Sequence, residues 1–299
     1  MTQCAAARST TKKQKTPPER KALMSVKTLK SAIRRIAKGR AETAASNNEY
    51  ERKIYTRAEL QRAQAEFESW RQHNPSRPFR DYYSENVKRK LAEASSRSNV
   101  DGIPYQRPSG ARVLKQLIEF GLRPSDSCVD YGCATLRVGL HVIKYLGRGG
   151  YWGLDISDCL FGDAKKIAGP RLMAEKEPRL REISPASVEE VAASEPDMLF
   201  SVKVMQHVHP DELAEYVRNV MTIIGRSGQA IIGTKWIADK TVQYRPSGWA
   251  HSISALDSLV AERGGRVAVL KEREMLLPLQ EAGNSKVGVL RIAHKSATF

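Results

Sequence analysis

The sequence predicts an α/β fold: a mostly parallel sheet, doubly wound, with helices on both faces. Three observations predict it. Beyond about residue 101, segments with helical periodicity alternate with short apolar runs, the pattern of strands joined by crossover helices. Two of those runs end in a lone carboxylate, Cys128-Val129-Asp130 and Gly153-Leu154-Asp155. The first runs straight into a tight Gly132-Cys133-Ala134 turn and then a helix-compatible segment, the layout of a nucleoside crevice at the carboxyl ends of adjacent parallel strands.

The elements follow in order. Residues 1–20 are charged and poor in apolar side chains, too few to offset the entropy of ordering, and read as a disordered basic tail. From 23 to 40 the residues Leu23, Val26, Leu29, Ile33 and Ile36 recur at steps of three and four between lysines and arginines, a basic amphipathic helix. Further helices are expected around 56–70 and 82–94, broken by Asn74-Pro75 and Arg77-Pro78. Residues 21–100 thus form a helical extension, and 99–104 a turn-rich linker to a domain spanning 101–299. Within it helices are expected at 111–120, 136–146, 160–168, 210–224 and 252–263. Strands are expected at 127–131, 151–154, 179–183, 198–202, 229–237, 266–270 and 286–292. Residues between 238 and 251 read as a long loop carrying Tyr244, Arg245, Trp249 and His251, the kind of segment in which specificity is expected to reside.

Gly132 permits a sharp strand-to-helix bend that a Cβ would obstruct. Asp155, at the end of the next strand, is placed to accept both hydroxyls of a ribose. Ala134 and Leu136 stand where a dinucleotide fingerprint needs glycine, so a nucleoside without a diphosphate fits the turn better.

On these residues, positions of about 83–299 resemble the class I S-adenosylmethionine-dependent methyltransferases. Val129-Asp130-Tyr131-Gly132-Cys133-Ala134 is similar to their first motif, and Gly153-Leu154-Asp155-Ile156 to their ribose-binding acidic motif. Residues 196–208, through His207-Val208, are similar to their fourth-strand motif, and 223–232 to the helix, turn and fifth strand that follow. Residues 135–139, 145–153 and 176–180 are similar to a bacterial subgroup linked to sugar and surface-polysaccharide modification. Ala134 and Arg226-Ser227-Gly228 depart from the usual Gly and Pro-Gly-Gly. The resemblance implies a Rossmann-like, seven-stranded sheet and S-adenosylmethionine as cofactor. It implies that Asp130, Gly132, Cys133, Ala134, Arg137, Asp155 and Ile156 line the donor site. His207 is the candidate general base, and His209, just before Pro210, reads as a loop residue. Lys235 and Trp236 follow the fifth strand, towards the acceptor or the core.

Absences narrow the reaction. No Asp/Asn-Pro-Pro-aromatic segment and no Pro-Cys follows the fourth strand, and no acidic cluster suggests a metal. O-methylation of a sugar or small-molecule hydroxyl is the default, with RNA methylation or a non-catalytic binding module as alternatives. The net charge of +16 is concentrated in residues 1–40, which carry +11. That helix suits an anionic membrane surface, nucleic acid, or simple packing on the core, and the missing aromatics disfavour single-strand recognition. Four cysteines without metal spacing, no secretory segment and no long apolar run read as a cytoplasmic protein.

Overall fold

The structure, a computed structural model, describes residues 55–93, 109–274 and 285–297. The tail, the 23–40 helix and the 99–104 linker lie outside them. No helix of the described residues is long and apolar enough to cross a membrane.

Residues 55–299 fall in one compact unit. Its core is a sheet of β1 (Cys128–Tyr131), β2 (Tyr151–Asp155), β3 (Arg179–Glu182), β4 (Met198–Val202) and β5 (Gln229–Ile237), all parallel, in the order β3-β2-β1-β4-β5. The chain then adds β8 (Gly265–Glu274) and β9 (Lys286–His294), with β9 running antiparallel between β5 and β8. These seven strands are the Rossmann-like sheet expected. The strand order reverses between β1 and β4, the switch point at whose carboxyl edge open α/β sheets bind their ligands.

Side-chain alternation shows why the sheet is wound on both faces. Val129, Tyr131, Trp152, Leu154, Leu199, Ala230 and Ile232 join one core cluster, while Cys128, Tyr151, Met198, Phe200 and Ile231 join the other. Each strand sends alternate residues to opposite faces, so apolar runs without polar gaps are what two buried faces require. Helix α8 (Leu213–Ile224) closes the first face with Leu213, Tyr216, Val217, Val220, Met221 and Ile224, a stripe at steps of three and four. α7 (Pro185–Ala192) and α9 (Ile253–Ala261) complete it. On the other face lie α3 (Ser109–Glu119), α4 (Gly139–Tyr145) and α5 (Phe161–Ala168), followed by the short α6 (Pro170–Lys176).

Three expectations are corrected. The loop expected between 238 and 251 contains a hairpin, β6 (Val242–Arg245) and β7 (Gly248–Ser252), which pairs with the end of β5 through Trp236–His251 and Ile237–Ser252 and brings the sheet to nine strands. α4 starts at Gly139, not at 136, because Ala134 and Leu136 adopt left-handed backbone (φ 44° and 62°) that no α-helix accommodates. α7 was not expected, although Ser184 caps it and Pro185 opens it, both readable signals.

The helices before the sheet, α1 (Arg57–His73) and α2 (Phe79–Glu93), form an aromatic hairpin. Thr56 opens α1 with a capping box to Glu59. The first turn of α2 receives the Glu212 carboxylate on its backbone N–H groups, at 3.1 Å from Arg80 N, which sets an acid at the positive end of the helix. Phe67 and Phe79 then pack with Trp249 of β7, flanked by Trp70, Tyr82 and Tyr83. Phe79 makes edge contacts with Phe67 at 4.9 Å and with Trp249 at 5.1 Å. Phe79→Ala is expected to cost about 3–5 kcal/mol of local stability. Amide exchange should accelerate across α1 and α2 while β1, β4 and β5 stay protected; uniform acceleration would show that the hairpin is not a separable unit.

Candidate active site

The first half of the candidate site is built on the ends of β1 and β2. The Tyr151 hydroxyl donates to Asp130 Oδ2 at 2.9 Å. A Cβ on Gly139 would lie 2.2 Å from that hydroxyl, so only glycine lets α4 start there. Burial pushes the Asp130 carboxyl up to about 7, against the opposing pull of Tyr151 and of the Arg137 charge. The turn after β1 hangs on the end of β2. Gly132 N and Cys133 N both donate to Leu154 O, at 2.7 and 2.9 Å. Ala134 N donates to Asp155 Oδ2 at 2.8 Å. Asp155 and Ile156 are half-buried, and burial raises the Asp155 carboxyl to about 6 although the N–H groups of Ala134, Ile156 and Ser157 favour its ionised form.

Gly132 has φ 91°, and a Cβ there would meet Val204 Cγ2 at 2.2 Å. The loops after β1 and after β4 therefore touch across the switch point. Cys133 is buried, its thiol is pushed well above the ordinary range by burial, and its sulfur lies over Gly153, so it fills the turn. Thr135 Oγ1 in the same turn is buried with no hydrogen-bond partner among the described residues. Among the described residues, five non-glycine positions have left-handed backbone: Ala134 and Leu136 after β1, Lys203 after β4, and Glu177 and Glu195 elsewhere. Three of the five lie just after β1 and β4, on either side of the point where the strand order reverses. Ala134→Gly is expected to stabilise the fold by about 1 kcal/mol by removing the strain of its left-handed backbone. A lower denaturation midpoint would contradict it.

The second half follows β4. His207 ends a single turn of 3-10 helix, Met205–His207. Its Nδ1–H donates to Ser247 O at 2.6 Å, which fixes the tautomer, and its Nε2 accepts from Gln206 Nε2 at 3.0 Å. Gln206 Oε1 in turn accepts the Tyr244 hydroxyl at 3.0 Å. The bonds all run one way, from Tyr244 through Gln206 and His207 to Ser247. Burial pushes His207 down to about 4, so the ring is neutral at physiological pH. Tyr83 of α2 stacks on it at 5.6 Å.

The other singled-out residues separate. His209 packs among Phe67, Phe79 and Trp249 and belongs to the aromatic cluster. His251 is buried and donates from Nε2 to Met205 O and Val208 O, bracing the turn that carries His207. Trp236 is core. Lys235 lies over the Tyr244 ring at 4.3 Å. Sequence reasoning missed Tyr83 and Gln206. It also missed that α2 reaches both halves: Val87 and Leu91 pack on Leu160, against which Cys159 and Ala134 also pack, while Phe79 and Tyr83 meet Trp249 and His207. The four contact residues span 79–91, twelve steps of helix or about 18 Å.

No family model and no curated protein matches the chain. Solved structures do. The chain is similar to magnesium protoporphyrin IX methyltransferase from Synechocystis PCC 6803, with 14% identity over 72% of this chain and 95% of that one, at a TM-score of 0.49. It is similar to an S-adenosylmethionine-dependent methyltransferase from Mesorhizobium loti, with 14% identity over 62% and 99% at 0.42. It is also similar to the 1,6-didemethyltoxoflavin N1-methyltransferase of Burkholderia thailandensis, with 14% identity over 73% and 88% at 0.43. These likenesses are to proteins of varied acceptors. The Rossmann-like fold stands on the strand order itself, and the reaction has to be argued from this chain's own residues.

Proposed function

We propose that the chain is an S-adenosylmethionine-dependent methyltransferase acting on a hydroxyl of a sugar or related small molecule. The observation that carries this reading is the half-buried Asp155 at the end of β2, with the 132–136 turn tied to it and His207 across the switch point at the end of β4. The residues fit the donor. Asp130 is a buried carboxyl raised to about 7, so a neighbouring ammonium would favour its ionised form. Thr135 offers a buried hydroxyl with no partner among the described residues in the same turn. Asp155 can take the ribose hydroxyls, with Ile156 beside it against the nucleoside.

S-adenosylmethionine supplies a methyl already activated on a sulfonium. What remains for the protein is to align an oxygen with it, exclude water and take up the proton. α2 excludes water by its contacts on both halves of the site. His207 receives the hydroxyl proton at Nε2, the Gln206 amide giving way to the acceptor, while Ser247 O holds the ring's other nitrogen.

Labelled-methyl transfer with glycan, small-molecule and RNA extracts tests the reading. Label in glycans or small molecules supports it, label in RNA alone redirects it, and no label anywhere leaves a binding module. His207→Ala should lower kcat about 100-fold with the donor Kd unchanged. An unchanged kcat would reduce the ring to a packing partner of Tyr83.

A further inference from the structure

Three cationic side chains from three separate elements act electrostatically on His207. Lys203 follows β4, Lys235 lies on β5 and Arg245 ends β6. They are the charges that act on the His207 ring, and all lower its affinity for a proton. Tyr244 meets two of them: Lys235 Nζ is 4.3 Å and Arg245 Cζ 5.6 Å from its ring centroid. Its hydroxyl begins the chain through Gln206 to His207. Arg245 is only 9% exposed, Lys235 is half-buried and Lys203 is exposed, so the charges are graded from the interior to the surface. Each of these four residues makes further contacts as well, so an incoming group would join an existing network.

Lys203 also holds a left-handed backbone, φ 65°, with its N–H donated to Gly233 O at 2.7 Å. A strained residue pinned to the neighbouring strand fixes where that side chain leaves the main chain. Strand β6, which brings Tyr244 and Arg245, belongs to the hairpin added beyond the seven-stranded sheet. The added element thus delivers one of the cations and the tyrosine.

We propose that this cluster is an oxyanion subsite: the methyl acceptor carries a phosphate or carboxylate, bound by Arg245 and Lys235 with Lys203 at the mouth, which places a neighbouring hydroxyl at His207. Guanidinium and ammonium groups bind such anions through charge-assisted hydrogen bonds, strongest where water is excluded. The subsite deepens the methyltransferase reading and rests on it only for the identity of the anion's owner. Neutral sugars would then be poor acceptors, and a sugar phosphate or sugar acid a good one.

The test uses the full chain, titrated calorimetrically with S-adenosylhomocysteine, then with inorganic phosphate and with acetate in its presence. Saturable binding of either anion is expected, and the tighter of the two names the chemistry. Lys235→Gln and Lys203→Gln should each weaken it about tenfold, Arg245→Gln more, and Lys271→Gln on the far strand β8 not at all. Because Arg245 is buried, the two lysine variants keep the test valid if Arg245→Gln unfolds. Normal S-adenosylhomocysteine binding with neither anion bound, or anion binding untouched by both lysine variants, overturns the subsite. Anion binding that the lysine variants weaken, without any S-adenosylhomocysteine binding, preserves the subsite and defeats the methyltransferase reading instead.

Discussion

Asp155→Ala is expected to weaken S-adenosylmethionine and S-adenosylhomocysteine alike, by about 100-fold or more. Two hydrogen bonds from ribose hydroxyls to an ionised carboxylate are each worth about 1.5–3 kcal/mol, and about 2.7 kcal/mol already makes 100-fold. The substitution also frees Ala134 N, which loses its acceptor at 2.8 Å, so the turn loosens as well. Asp155→Asn separates the two effects: it keeps an oxygen for Ala134 but loses the charge, and should fall between wild type and alanine. The fold itself should survive. The Asp155 carboxyl is raised to about 6, so its contribution to stability is present below the ordinary carboxylate range and is lost as pH rises through about 6. Above that pH the ionised group is a burden on the empty protein, and its removal costs no charge stabilisation. Donor affinities equal to wild type in both variants would remove Asp155 from the site.

Donor affinity is expected to rise with pH from about 5.5, by up to tenfold per unit for each carboxyl that must ionise, and to level off above about 7. The cause is Asp130, whose buried carboxyl ionises only at about 7. The sign is fixed by the direction of the shift. A carboxyl raised in the folded state is protonated below that value, and a cationic ligand beside it must first displace the proton. Asp155, at about 6, adds a second and lower inflection. His207 and His251, both pushed down to about 4, stay neutral throughout this window and add none. Asp130→Asn should abolish the inflection near 7, leave the one near 6, and weaken binding most at high pH, where the wild-type carboxylate is charged. A flat wild-type profile would contradict placing a cation of the ligand beside Asp130.

The parts of this site that the sequence disclosed are those set by neighbours along the chain. β1 and β2 are short, mostly apolar strands with Asp130 next to the end of one and Asp155 at the end of the other, the pattern that two buried faces leave. Gly132 is readable because a bend at that point excludes a Cβ. What stayed hidden depends on distance. The late start of α4 follows from left-handed backbone at Ala134 and Leu136, which neither residue type announces. The β6–β7 hairpin is disguised by Pro246-Ser247 between two strands of four and five residues, the second opening on Gly248. Gln206 gains its role from Tyr244, 38 residues on, and Tyr83 gains its role from a stack on His207. His209 and His251 look alike in sequence, yet one joins an aromatic cluster and the other braces a turn.

The central claim is that the crevice between β1 and β4 holds the nucleoside of a sulfonium donor. The most direct measurement is a calorimetric titration of the full chain with S-adenosylhomocysteine at pH 7.5. The account predicts one saturable site per chain. No heat of binding up to millimolar ligand, from protein shown to be folded, would contradict it.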